Sequence, residues 1–392
     1  MRVVDGLEFD TRCVHAGESP DPTTGAHGTP MYQNVTYAFD SYEQVASMRA
    51  GERPHFTYSP RGNPTVRCLE VKIADLEGAE TCLALNSGMA AISSAILGVV
   101  TDGGHIIGSR HLYDNSRNLL EYELPHYGAS ATLVDLTDEE QIAAAVTPNS
   151  RAIYAETFSN PHLHVLDIAR LSDIARRFNL LLIVDNTFLS PALYRPLEHG
   201  ADLVVHSATK YLSGHGQTQA GVISGSRRLI SPMRERAMLL GNHLSPFAAW
   251  VLLSGVHTLS LRISRHCENA LALATLLSEH PAAASVNYPG LVDDPDHAAA
   301  AQMLSSEGPG FGGMISFTLR EENAAAQFIN ALDLCTIAVS LGDCTTLLWP
   351  WHTEGLIRVS TGIEATRDLM RDFSAALDSC VSAETAAKAA LR

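Results

Sequence analysis

The chain has 392 residues, 46% hydrophobic and 18% charged, which is room for more than one domain of about 100–200 residues and a core that needs no staples. A formal net charge of −16 excludes nucleic acid as a partner, because a phosphate backbone is bound by clustered lysine and arginine. Seven scattered cysteines without a C-x-x-C read as reduced thiols of a cytoplasmic protein, and the absence of any run of about 18 apolar residues excludes a membrane span.

In chain order, Met1–Asp10 carries early acids and no apolar core, so no secretory leader is expected. Residues 1–60 are rich in Gly, Pro and Thr with little periodicity, an N-terminal arm of the kind that packs on a neighbour. Residues 61–250 alternate helical patterns with short apolar strands at Cys82–Leu85, His105–Gly108, Ala131–Val134, Ala152–Glu156, Leu181–Asp185, Leu203–His206 and Val222–Ser224. That alternation predicts an α/β fold, a mostly parallel sheet with helices on both sides. One long helical stretch, Pro246 to Glu279, leads out of it. In residues 251–392, strands at Ser285–Tyr288, Met314–Leu319 and Leu356–Ser360 mix with helices at Glu322–Ala331 and Leu369–Ser382, a smaller C-terminal α/β domain. Gly308-Pro-Gly-Phe-Gly-Gly313 imitates a dinucleotide loop but runs into an alternating strand rather than a helix, so nucleotide binding is rejected.

Three pieces carry chemistry. Ser87-Gly88 precedes a helix of small residues starting near Met89, and the free N–H groups and dipole of a helix N-terminus hold anions. The run Leu180–Val184 ends in Asp185, at the carboxyl end of a strand, where α/β sheets bind ligands. The strand Leu203–Val205 runs into a polar turn bearing Ser207, Thr209 and Lys210. A partly desolvated lysine is a nucleophile for a carbonyl, and the two hydroxyls beside it suit a phosphate; a carbonyl cofactor with a phosphate is pyridoxal 5′-phosphate (PLP). Asp185 is then the acid partner of the pyridine nitrogen. Each piece alone has a bland reading: a core helix, a turn aspartate, a solvated strand-end lysine. Among 17 histidines, the nearest ligand-like pair, His162 and His164, has no other ligand type around it, so no metal site is expected.

Taken together, these pieces resemble the PLP-dependent enzymes of cysteine and methionine metabolism, which include methionine γ-lyase, the cystathionine lyases, cystathionine γ-synthase and O-acetylhomoserine sulfhydrylase. The matching strings are Tyr58-Ser-Pro-Arg-Gly-Asn-Pro-Thr65, Leu76-Glu-Gly78, Ser87-Gly-Met-Ala-Ala91, Leu112-Tyr113, Glu156-Thr-Phe-Ser-Asn-Pro161, Val184-Asp-Asn-Thr-Phe188, Ser207-Ala-Thr-Lys-Tyr211, Tyr288-Pro-Gly-Leu291, Ser340-Leu-Gly342 and Ile357-Arg-Val-Ser-Thr-Gly-Ile-Glu364. The resemblance implies the fold-type I PLP fold and a homotetramer of two tight dimers that share active sites. It implies that Lys210 forms the Schiff base and moves protons, that Tyr113 stacks on the ring and protonates the leaving sulfur, and that Ser87, Gly88, Met89, Ser207 and Thr209 cradle the phosphate. Asn160 meets the 3′-oxygen, and Arg358 clamps the substrate carboxylate beside Ser340. Tyr58 and an arginine of a neighbouring subunit complete the phosphate site; Pro60 stands where that arginine is expected, and Arg61 follows one position later.

The resemblance also frames the reaction. Ser340-Leu-Gly-Asp343 is similar to methionine γ-lyases and sulfhydrylases, and Thr345 stands where many cystathionine enzymes carry a glutamate for a distal amino group. Against this, a methionine γ-lyase subgroup has a cysteine and a Lys-Asp pair where this chain has Asn115, Leu239 and Leu240, and the segment Trp349–Arg358 is shorter than usual. The expectation is γ-elimination of L-methionine first and L-cystathionine second. The alternatives are γ-replacement on an activated homoserine and, remotely, an inactive oligomeric scaffold.

Overall fold

The computed structural model describes residues 6–53, 55–100, 103–304, 308–321, 324–351 and 355–381. Its central sheet has seven strands, β1 (Thr81–Leu85), β2 (His105–Ser109), β3 (Ser130–Val134), β4 (Ser150–Glu156), β5 (Leu181–Asp185), β6 (Leu203–His206) and β7 (Gly221–Gly225), in the spatial order β1-β7-β6-β5-β4-β2-β3. The five strands β3, β2, β4, β5 and β6 run parallel; β7 is antiparallel to both of its neighbours. The sheet is therefore mostly parallel, as the alternation predicts. Its central strands β5 and β6 read as continuous apolar runs because both faces are covered. Val184, Val204 and Val222 enter the core on one face, and Ile183, Val205 and Ile223 enter the core on the other.

A second sheet holds β8 (Ala283–Asn287), β9 (Met314–Leu319), β10 (Thr336–Ile337), β11 (Leu347–Trp351) and β12 (Leu356–Ser360), in the order β10-β11-β12-β9-β8. Helices Leu259–Glu279, Ala324–Ala331 and Thr366–Ser379 contribute Leu273, Phe328 and Phe373 to the core shared with its Phe317 and Val359. Met314–Leu319 is a strand, as its alternation requires.

Four local expectations change. The stretch Pro246–Glu279 is two helices, Pro246–His257 and Leu259–Glu279, bent by 61°. At the break the Arg262 guanidinium donates to Gly255 O at 2.7 Å and to Tyr211 O at 2.8 Å, occupying a carbonyl at the end of the first helix. The arm contains two short helices, Phe9–His15 and Tyr42–Arg49, of which the first buries only Cys13 and the second nothing, too little for a periodic signal. The segment Trp349–Arg358, expected as a loop edging the mouth of the site, begins inside a strand, Leu347–Trp351, and ends inside another, Leu356–Ser360; Pro350 is tolerated because β10 pairs only with Leu347 and Leu348. The last helix ends at Ser379 rather than at Ser382, and 382 lies outside the described residues, as do 322–323 of the helix expected from Glu322. Among the described residues, no single helix is long and apolar enough to cross a membrane.

Candidate active site

The carboxyl ends of β4, β5 and β6 open into a cavity of about 600 Å³, and a loop and two strands of the second sheet close it. Its lining includes Ser87, Gly88, Met89, Tyr113, Asn160, Asp185, Ser207, Thr209, Lys210, Ser340 and Arg358. Eleven residues singled out in the sequence thus meet at one place, drawn from segments more than 270 positions apart.

Lys210 follows β6 in a tight turn: its N–H donates to Ser207 O at 3.0 Å, and its carbonyl accepts from Gly214 N at 2.8 Å. Its Nζ donates to Ser340 Oγ at 2.9 Å. Burial, and secondarily the Arg358 charge, lower its pKa to about 8. Near pH 7 about a tenth of the amine is therefore neutral, against about one in three thousand for a lysine of ordinary pKa, and the neutral amine is the nucleophile.

Asp185 caps β5. Its Oδ1 accepts from Thr187 N at 2.9 Å and from Thr187 Oγ1 at 2.5 Å, and the same Thr187 oxygen accepts from Ser207 N at 2.8 Å. One threonine thereby ties the carboxylate of β5 to the turn after β6. Burial raises the Asp185 pKa, and the Thr187 bonds oppose that rise.

Helix Gly88–Val99 starts at the cavity, with Ser87 Oγ accepting from Ala90 N at 3.1 Å as its N-cap. A Cβ at position 88 would stand 2.7 Å from the Ser207 side chain, so glycine is what lets the helix start and the post-β6 turn share one concave surface. The Thr209 hydroxyl is engaged locally, donating to Ala220 O at 3.2 Å and accepting from Ala220 N at 3.0 Å.

Arg358 sits in the middle of β12, 5% exposed. It donates from Nη1 to Asn160 Oδ1 at 3.0 Å and from Nη2 to Ser340 O at 2.8 Å, while its buried Nε has no partner. Burial brings its pKa down to about 10. The Trp351 ring lies 5.0 Å from the guanidinium carbon. Ser340 holds a φ of 94°, a conformation a non-glycine residue adopts at a cost, and it serves both Lys210 and Arg358.

Tyr58 and Arg61 are not brought into this cavity. Tyr58 is exposed, and Arg61 lines a separate cavity of about 280 Å³, with Glu235 at 4.0 Å as its ion-pair partner. Sequence reasoning assigned no role to Glu156, Thr187 or Gln219, which also line the main cavity. Glu156 ends its strand at the level where Asp185 ends the next one, a register that the sequence around it does not announce.

The residues fit PLP. A low-pKa lysine, a buried carboxylate at the next strand end, and a helix N-terminus with a Gly88–Ser207 cradle supply an amine for the carbonyl, an acid partner for the ring nitrogen and donors for the phosphate. The unpartnered Nε of Arg358 is a buried donor without an acceptor, which a substrate carboxylate would provide.

Comparison with known proteins places this geometry. The family profile of Cys/Met metabolism PLP-dependent enzymes matches residues 10–378. The chain is 40% identical to an L-methionine gamma-lyase of Pseudomonas putida, over 94% of this chain and 97% of the relative. It is 39% identical to a cystathionine beta-lyase of Lactococcus lactis, over 94% and 98%. The crystal structure of cystathionine gamma-lyase from Lactobacillus plantarum complexed with L-serine superposes with a TM-score of 0.88 at 35% identity, covering 95% of this chain and 99% of that one.

Proposed function

We propose that this chain, which belongs to the Cys/Met metabolism PLP-dependent enzymes, converts L-methionine and water to methanethiol, 2-oxobutyrate and ammonia. It is a PLP-dependent carbon–sulfur lyase; the proposal concerns its substrate and its residues.

The observation that carries the reading is the wall beside Arg358. Trp349 is the cross-strand partner of Arg358, and Trp351 lies two residues further along β11, so all three side chains rise from one face of the sheet into the cavity. A substrate whose carboxylate meets Arg358 therefore has two indoles beside its tail, a surface for an apolar thioether. A second reading, L-cystathionine, is favoured by Asp114, a carboxylate in the same lining that suits a distal ammonium.

Bound PLP supplies the electron sink that makes the substrate's Cα and Cβ protons acidic. Lys210 would hold it by its carbonyl and then carry protons between those carbons. Asp185 would hold the ring nitrogen, and Ser87, Gly88, Met89, Ser207 and Thr209 the phosphate. Asn160 would give its amide N–H to the 3′-oxygen, since its Oδ1 is taken by Arg358. Arg358 would bind the substrate carboxylate through Nε and its remaining Nη hydrogens, with Ser340 at its side. Tyr113, 39% exposed, would stack on the ring and give a proton to the departing sulfur. The working enzyme on this reading is a homotetramer of two tight pairs, in which Tyr58 and Arg61 of one copy complete the phosphate site of another.

The test is 2-oxobutyrate release from L-methionine with no added thiol, compared with L-cystathionine and O-acetylhomoserine plus sulfide. Preferential release from methionine supports the reading, and Trp351→Ala should then narrow the preference over cystathionine by about tenfold. Replacement on O-acetylhomoserine with no ketoacid from either thioether would sink it.

A further inference from the structure

Glu156 and Asp185 end adjacent parallel strands and are in register with each other. In-register neighbours point to the same face on strands about 4.8 Å apart. Both carboxyls are buried, 7% and 9% exposed, and both line the cavity. Two like charges so placed in a low-dielectric site do not ionise together at neutral pH. Their partners decide which one keeps a proton. Asp185 receives the N–H and the O–H of Thr187, and Tyr154 and His206 also favour its charged form. Among the described residues Glu156 accepts the backbone N–H of Tyr113 at 2.8 Å, and the backbone N–H of Asn160 also faces it. The neighbouring Asp114 adds a further negative charge against Glu156, and the two cations lining the same cavity, Lys210 and Arg358, hydrogen-bond Ser340 and Asn160 rather than Glu156. Burial and the neighbouring Asp185 push the Glu156 carboxyl well above the usual range.

Those two backbone groups belong to the two loops on which the chemistry depends. Tyr113 is the aromatic proposed to cover the ring, and Asn160 is the partner of Arg358. We propose that Glu156 is a positioning acid: kept protonated beside Asp185, it ties the Tyr113 and Asn160 loops to the end of β4 and leaves Asp185 as the single carboxylate facing the pyridine nitrogen. The inference rests on the roles proposed above for Asp185 and Tyr113.

Three variants of the PLP-loaded enzyme test it, with the cofactor dissociation constant and the pH dependence of the cofactor absorbance as readouts. Glu156→Gln preserves an uncharged group of the same size with the same acceptor oxygen. It should hold PLP within about twofold of the parent and leave the absorbance–pH curve in place. Glu156→Ala removes the tether and should weaken PLP binding by about tenfold. In infrared difference spectra at pH 7, the parent should show the C=O band of a protonated carboxylic acid that E156Q lacks. A Gln variant that behaves like Ala or fails to fold, an Ala variant that behaves like the parent, or a missing acid band each overturns the proposal. Asp185→Asn separates the premises: if it leaves PLP binding and absorbance unchanged, the role given to Asp185 fails, whereas a strong Asp185→Asn effect beside a silent Glu156→Ala sinks only the inference.

Discussion

Replacing Lys210 with methionine in the cofactor-free protein should make it more stable at pH 7, and that gain should vanish in alkali. The pKa of Lys210 falls from 10.5 to about 8 on folding, chiefly through burial. A lysine whose folded pKa lies below its unfolded value opposes folding while it is charged. Between pH 8 and 10.5 the unfolded chain binds more protons than the native one, so stability rises with pH across that window. At pH 7 the penalty is about 3 kcal/mol, taking about 1.4 kcal/mol per unit. Lys210→Met removes it and also removes the bond to Ser340 Oγ, worth about 1 kcal/mol. The variant should be more stable by about 2 kcal/mol at pH 7 and about equal to the parent at pH 10. Urea unfolding midpoints at a fixed protomer concentration measure the gap, since association would otherwise shift them. A gap independent of pH, or a parent more stable than the variant at pH 7, would refute the claim that Lys210 is a buried, destabilised amine.

Tyr113→Phe should slow release of the sulfur product by about 10²–10⁴-fold with cofactor absorbance retained, as expected for loss of a general acid; an unchanged rate removes the hydroxyl from the mechanism. Arg358→Lys should raise KM for the amino acid by about 10–100-fold, because an ammonium cannot donate to Asn160 Oδ1, Ser340 O and a substrate carboxylate as a planar fork does; an unchanged KM places the carboxylate elsewhere.

Asp185 was legible in the sequence because it ends an apolar run where a buried parallel strand has to end, and Lys210 because it stands in the polar turn just past such a strand. The helix start at Ser87-Gly88 was legible for a similar local reason. What stayed hidden depends on distant partners. Nothing near Glu156 shows that β4 lies beside β5 in register, and only that adjacency makes its carboxyl a partner of Asp185. Nothing near Thr258 announces that Arg262 will reach Tyr211 O, one residue past Lys210, and so join the end of a helix to the lysine turn. Pro350 disguised β11 as a loop, and with it the shared face of Trp349, Trp351 and Arg358, because a proline argues against a strand until one knows that its neighbour stops two residues earlier. The insertion of β7 antiparallel between β1 and β6 is likewise a matter of topology, not of the composition of any one strand.

The phosphate end of the cavity exposes a charge deficit that the single chain does not fill. Its proposed cradle, Ser87, Gly88, Met89, Ser207 and Thr209, offers N–H groups, hydroxyls and a helix dipole, and the cations among the described lining residues are Lys210 and Arg358. On the roles proposed above, the first serves the carbonyl, and the second binds Asn160, Ser340 and the substrate. A helix N-terminus amounts to about half a positive charge, too little for a phosphate dianion. In the proposed assembly Arg61 of another copy would answer that need, since in its own chain it lines a different cavity and its side chain is 59% exposed. Two defective proteins should therefore repair each other. Lys210→Ala lacks the amine in every site, and Arg61→Ala lacks the cation in every site. When the two are mixed one to one and allowed to exchange subunits, about half the pairs are hybrids, and each hybrid has one site with both residues intact. Activity should return to roughly a quarter of the parent level at limiting PLP. Hybrids that form, as shown by a mass tag on one partner, yet stay inactive would mean that Arg61 serves its own chain, and that the displacement of this arginine by Pro60 has cost the family's shared contact.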